Sequence, residues 1–174
     1  VENVTVDGSA EHGIFVDGAD GASVDDSTAR NNGKHGVYVT DSLSGVAVTD
    51  TVANHNGMNG LRIHHSDGIT VSNNTARSNT NGGIFVGAEG ATVEDNTLAS
   101  NDVGIRLKNH VHTVTGNDID DSTTYGLYLD TDDNTVANNT VDASGTAGVY
   151  FDSGKNNLFY NNYFNNSDNV DFGG

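Results

Sequence analysis

The sequence predicts an all-β chain wound as a right-handed parallel β-helix, about seven coils of 21–24 residues with three short strands in each. Three observations predict it: a glycine-led unit that returns at near-constant spacing, two further apolar patches inside each period, and Asn-rich corners. The unit is glycine, apolar, any residue, apolar. It reads Gly13-Ile-Phe-Val, Gly36-Val-Tyr-Val, Gly60-Leu-Arg-Ile, Gly83-Ile-Phe-Val, Gly104-Ile-Arg-Leu, Gly126-Leu-Tyr-Leu and Gly148-Val-Tyr-Phe. Successive glycines lie 23, 24, 23, 21, 22 and 22 residues apart.

The glycine-led unit reads as a strand because its apolar residues are two apart, and a strand sends alternate side chains to opposite faces. About ten residues on comes a second patch, Val46-Ala-Val48, Ile69-Thr-Val71, Ala91-Thr-Val93, Thr113-Val114, Thr135-Val136 and Leu158-Phe159. A third follows an Asn-rich corner, as in Asn73-Asn74-Thr75-Ala76, Asp95-Asn96-Thr97-Leu98 and Asn138-Asn139-Thr140-Val141. Three such strands point in different directions around a coil and cannot pair with one another. Each must pair in parallel with its equivalent one period away, at about 4.8 Å per coil, so seven coils make a rod about 35 Å long. Equivalent Asn side chains then stack, each amide donating and accepting, which gives Asn74, Asn96, Asn117, Asn139 and Asn162 a structural role. Gly, Asn and Asp at the breaks tolerate positive φ. No period has room for a helix.

Only 34% of the residues are apolar; there are 22 Gly, 24 Asn and 20 Asp, with no Trp, Cys or Pro. Scattered, that composition would describe a disordered chain, but its periodicity describes one folded domain over residues 1–174. The net charge of −17 sets 20 Asp and 4 Glu against 3 Lys and 4 Arg. Such a surface repels itself in dilute salt and is screened near 1 M, where the Debye length is about 3 Å. A halophilic, haloarchaeal type of protein is therefore expected, and nucleic acid is excluded as a partner. No apolar run is long enough for a transmembrane helix. The sequence opens at Val1 in mid-pattern, which predicts a segment of a longer chain. Sequons at Asn3, Asn73, Asn138 and Asn165 permit glycosylation at an extracellular or cell-surface location.

The residue between the two inward positions of each unit must point outward, and equivalents stack along one face. That column is Phe15, Tyr38, Arg62, Phe85, Arg106, Tyr128 and Tyr150, all aromatic or Arg. Two places on lies a second outward column of Asp17, Thr40, His64, Gly87, Lys108, Asp130 and Asp152. In so acidic a chain this face gathers Arg62, Arg106 and Lys108, with His64, His65 and His110 beside them. Aromatic faces stack on sugar rings, and Arg and Lys hold carboxylate or sulfate groups, so a polysaccharide or surface glycan is the expected partner of the seven-residue column. Two other readings suit the same residues. Stacked rings stabilise neighbouring strands, and the face or the rod ends could be covered by neighbouring coils or subunits in a surface filament.

The leucine-rich frame and the Gly-Gly-x-Gly-x-Asp calcium repeat are both missing. The rhythm resembles the parallel β-helix repeat family of carbohydrate-binding proteins and sugar hydrolases, especially the archaeal members similar to NosD. The resemblance spans the chain and is strongest in the closing run Asn157-Leu-Phe-Tyr-Asn-Asn-Tyr-Phe-Asn-Asn. It implies a polysaccharide lyase or C5-epimerase as an alternative to a glycan-binding or scaffolding module. Such enzymes neutralise a uronate carboxylate, remove the C5 proton and protonate the leaving oxygen. The candidates are Arg62 and Arg106 as neutralisers, His64 or Lys108 as base, and Tyr38 or Tyr128 as acid. The Asp-Pro-His-Glu signature of the mannuronan C5-epimerases is absent.

Asp130 and Asp152, one coil apart, have the spacing of a glycosidase pair. A copper-related role, implied by the NosD resemblance, would draw on His64-His65, His110-Val-His112 and Met58, but the two histidine pairs lie two coils, about 10 Å, apart. No cofactor is expected except Ca²⁺, for which Asp130, Asp132 and Asn134 form a candidate turn. That turn has Thr135 and Val141 where a calcium loop needs Gly and Glu.

Overall fold

The computed structural model describes residues 1–42 and 44–173. Its strands form three parallel sheets that run along a rod. The first stacks eight strands from Thr5–Asp7 to Tyr163–Asn165; the second stacks eight from Ile14–Asp17 to Val170–Phe172; the third stacks seven from Ser23–Asp25 to Leu158–Tyr160. Every neighbour is the equivalent strand of the adjacent coil, so the fold is the expected right-handed parallel β-helix. The glycine units undercount its coils by one. Val170–Phe172 adds an eighth rung against Val149, Tyr150 and Phe151 without a glycine-led unit of its own.

The inward residues form one continuous core along the axis. In the second sheet Ile14, Val37, Leu61, Ile84, Ile105, Leu127 and Val149 are stacked in register. In the third, Val24, Val48, Val71, Val93, Val114 and Val136 are all fully buried. Each such side chain contributes about 1.5–3 kcal/mol on burial.

The corners share a two-residue device. One residue takes a left-handed backbone and the next turns its side chain inward. Asn73, Asp95, Gly116, Asn138 and Asn161 have positive φ, and each precedes an Asn of the expected ladder. The amide nitrogens of that ladder donate to the next side-chain oxygen over 3.0 Å from Asn74 to Asn96, 2.9 Å to Asn117, 2.9 Å to Asn139 and 3.0 Å to Asn162.

A second ladder, absent from the sequence reading, joins Asn32, Asn56, Asn79 and Asn101 over 2.9, 3.0 and 3.0 Å. Beyond it Ser122 and Ser144 take the corner with buried, unpaired hydroxyls. There the core column of Ala29, Ala53, Ala76 and Leu98 continues as Ile119 and Val141.

The second ladder explains the repeating glycine. None of the seven has positive φ. A Cβ on Gly36 would lie 2.7 Å from the Asn56 amide nitrogen and 3.1 Å from Ala53 Cβ, and one on Gly104 would lie 2.4 Å from Ile119 Cγ2. Close packing, not backbone freedom, requires glycine there.

Candidate functional site

The second sheet carries the predicted column in register, one residue per coil from Phe15 to Tyr150. Phe15 and Tyr38 stack with centroids 5.3 Å apart, and Tyr128 and Tyr150 lie at 5.1 Å. The guanidinium carbon of Arg62 is 5.7 Å from the Tyr38 centroid and 4.5 Å from that of Phe85; Arg106 is 4.3 Å from Tyr128. The Arg62 guanidinium thus lies between two rings, and that of Arg106 against one. Gly87 makes room for this: a Cβ there would meet Phe85 at 2.9 Å and His64 at 3.0 Å.

Charge pairing separates these arginines from Arg30, Lys34 and Lys108, while Arg77 and Lys155 are likewise without an ion pair among the described residues. Arg30 pairs with Asp7 at 3.0 Å, Lys34 with Glu11, and Lys108 with Asp130 at 3.2 Å. Neither Arg62 nor Arg106 has a carboxylate partner among the described residues.

Beside the column lies a group that sequence reasoning missed. The Asn59 backbone N–H donates to His35 Nδ1 at 3.1 Å, and the His35 N–H donates to His12 Nδ1 at 3.3 Å. The two imidazoles stack at 5.1 Å and 8°, and Tyr38 lies 5.0 Å from His12 and 5.4 Å from His35. The available signal was position, since all three immediately precede a repeat glycine. These residues border a cleft of about 440 Å³ reaching Arg62 and Asn81, which also line a second cleft of about 210 Å³ reaching Arg106.

The candidate catalytic residues fall into two groups. Arg62 and His64 share the strand Leu61–His64, one coil from Tyr38, and Arg106 and Lys108 share a strand one coil from Tyr128. His64 and Tyr128 are three coils apart, about 14 Å, too far to act on one sugar residue, whereas the members of each group are within one coil rise. Lys108 is already matched by Asp130. The His64 imidazole is held below its usual range by burial, then by His65 and Arg62. Tyr128 is pushed up to about 12 by burial and by its hydrogen bond to Asp152.

The second outward column runs in register from Asp17 through Thr40, His64, Gly87 and Lys108 to Asp130. A register shift then places Ser153, not Asp152, opposite Asp130. The Ser153 hydroxyl donates to Asp130 at 2.7 Å and, ahead of Lys108, holds its carboxyl below the usual range.

The candidate metal ligands are likewise separated. Asp132 accepts the Lys155 backbone N–H at 2.6 Å, while Asn134 is buried and donates to Asn157 at 2.6 Å, so Asp130, Asp132 and Asn134 do not converge. His65 faces Asp41 at 3.4 Å and His110 faces Asp132 at 3.9 Å. His112 is buried, with Nδ1 accepting from Ala91 at 3.3 Å and Nε2 donating to the Lys108 carbonyl at 2.9 Å. No group of three His, Cys, Asp or Glu suited to a metal occurs among the described residues.

A β-helix with a stacked exterior column defines a parallel β-helix protein. The family model of the periplasmic copper-binding protein NosD matches residues 1–174, and the chain belongs to that family. Three of its seven histidines do not fit the copper of the family's name, because His12, His35 and His112 each commit Nδ1 to a backbone amide.

Among solved structures, the mannuronan C-5 epimerase AlgE6 A-module of Azotobacter vinelandii is similar at a TM-score of 0.75 and 18% identity, over 99% of this chain and 56% of that one. A double mutant of the periplasmic alginate epimerase AlgG gives 0.75 and 17%, over 91% and 43%. The enzymatically active domain of bacteriophage CBA120 tailspike protein 2 gives 0.77 and 13%, over 99% and 34%. These likenesses establish a shared fold, and the chain spans about a third to just over half of those chains. No protein of curated function matches the sequence. Among the described residues no helix is long and apolar enough to cross a membrane.

Proposed function

We propose that this chain is an extracellular or cell-surface module that binds an acidic polysaccharide along the Phe15 to Tyr150 column without making or breaking bonds. The carrying observation is that Arg62 and Arg106 stand among stacked rings on the rod exterior with no carboxylate of their own. In a chain of net charge −17 that leaves two planar donor forks free for carboxylate or sulfate. Phe15, Tyr38, Tyr128 and Tyr150 offer ring faces to the apolar side of a sugar. The coil rise of about 4.8 Å is close to the length of one pyranose, so successive sugars can meet successive rungs. The polysaccharide class is supported by the alginate and mannuronan named for the epimerases of the same fold. The absent Asp-Pro-His-Glu signature favours binding over epimerase chemistry.

Affinity electrophoresis and calorimetry with alginate, pectate, a sulfated glycan and a neutral glucan test the reading, with ultraviolet absorbance of unsaturated uronate followed in parallel. Binding is expected for the acidic polymers alone, weakened about tenfold or more by Arg62→Ala with Arg106→Ala, and absorbance stays flat. No binding to any acidic polymer would refute the proposal. Rising absorbance would replace it with a lyase.

A further inference from the structure

The cleft beside Tyr38 is lined by His12, Lys34, His35, Met58, Arg62 and Asn81, with no Asp or Glu in its wall. The hydrogen bonds already described fix what its histidines can offer. In a neutral imidazole one nitrogen accepts and the other carries the proton. Nδ1 of His12 and Nδ1 of His35 both accept backbone N–H groups, so Nε2 is the protonated donor in each ring. Neither Nε2 has a hydrogen-bond partner among the described residues. His35 is only 6% exposed, which makes its unmatched donor a feature of the cleft rather than of open surface. Burial, and next the charge of Arg62, hold His35 down to about 4, so the ring is a neutral donor at neutral pH. Arg62 adds a guanidinium fork.

The same place holds Met58 beside two stacked imidazoles, the softest donor set on this face and the natural one for copper. Each feature just described opposes a cation there. The Nδ1 lone pairs are engaged, the Nε2 atoms bear protons, and Arg62 contributes a positive charge, Lys34 being matched by Glu11. An oxyanion meets donors on every side.

The geometry points to this cleft as an oxyanion site, seating one carboxylate or sulfate ester of an acidic glycan between the Nε2–H groups of His12 and His35 and the guanidinium of Arg62. This deepens the column reading and rests on it for the polymer, though not for the anion itself.

The test is imidazole ¹⁵N NMR of the whole chain at constant ionic strength, titrated separately with sodium sulfate and sodium galacturonate. One or both are expected to shift the Nε2 signals of His12 and His35 while leaving buried His112 unmoved. His35→Asn preserves the corner, because Asn already serves at position 59, and Arg62→Gln preserves a polar fork without charge. Each is expected to abolish the shifts and to weaken polymer binding about tenfold, with an unfolding midpoint close to the parent's. The proposal is overturned if both anions leave His12 and His35 unmoved, or if a copper titration perturbs those two rings ahead of the other histidines. Polymer binding without any histidine response would retain the column and remove the cleft. Anion shifts without polymer binding would retain the cleft and remove the column.

Discussion

Arg62 and Phe85 occupy equivalent positions on adjacent coils, and the guanidinium carbon of one lies 4.5 Å from the ring centroid of the other. This contact serves stability and recognition with the same atoms.

An Arg62–Phe85 double-mutant cycle isolates the contact. Urea unfolding of Arg62→Ala, Phe85→Ala and the double variant is expected to give a coupling of about 0.5–1 kcal/mol. Arg62→Lys should retain part of the stability and lose most of the glycan affinity, since an ammonium cannot present a planar fork. A coupling indistinguishable from zero would mean that the stacking is incidental.

The buried ladder carries a larger expected effect. Asn96 donates to Asn117 and to the Val71 carbonyl, and accepts from both the backbone and the side chain of Asn74. Asn96→Ala removes all of these inside the core, where each stranded polar group costs about 1–3 kcal/mol. A loss of about 3 kcal/mol or more is expected by denaturant titration. Asn165→Ala, at an exposed position with a single side-chain bond to Asp142, should change stability by less than about 1 kcal/mol. Equal effects at the two sites would contradict the ladder's role.

The register was legible because two periods act together: alternation along a strand names the inward residues, and the coil repeat names their partners. Val93 could be paired with Val71 and Val114 before any coordinates. The second Asn ladder was hidden because its left-handed residues are chemically mixed, Asn31, His55, Ser78 and Ser100, so no dipeptide marks it. The catalytic candidates divide into two groups for a related reason. A column in sequence makes Arg62 and Tyr128 look like neighbours, whereas each coil between them adds its own rise along the axis. The glycine was recognised as the marker of register, and the packing that requires it is visible only against the neighbouring coil.

That packing requirement is testable at Gly126. A Cβ there would stand 2.1 Å from Val141 Cγ1 and 2.8 Å from the Gly148 carbonyl oxygen, inside the core and against backbone. Gly126→Ala is expected to destabilise by about 1–3 kcal/mol or to prevent folding. Pairing it with Val141→Ala should recover part of the loss by opening the space. At Gly68 the same Cβ meets nothing within 4 Å and φ is +61°, so Gly68→Asn, which tolerates that backbone, should leave the midpoint nearly unchanged. If Gly126→Ala is as harmless as Gly68→Asn, steric exclusion is not why the glycine recurs.

Acid should weaken the fold earlier than its carboxylates alone would dictate. His35 is held down to about 4 in the folded chain against 6.5 for a free histidine, chiefly by burial. Between those values the unfolded chain binds a proton that the folded chain excludes, so stability is full above about pH 6.5 and falls as pH drops toward 4. His112, also lowered mainly by burial, adds to the same slope. Asp7, lowered first by its hydrogen bond from Asn31, and Asp130, lowered first by Ser153, act further down: their contribution is present above the ordinary value of 3.8 and lost below it. Relief of the net charge of −17 on acidification works the other way, and salt near 1 M, with a Debye length of about 3 Å, suppresses it. Urea midpoints measured in that salt should therefore be level near pH 7–8 and decline from about 6.5 to 4. His35→Asn should flatten part of the decline, because Asn takes up no proton. A parent midpoint that holds steady to pH 4, or a decline of equal slope in His35→Asn, would remove His35 as its cause.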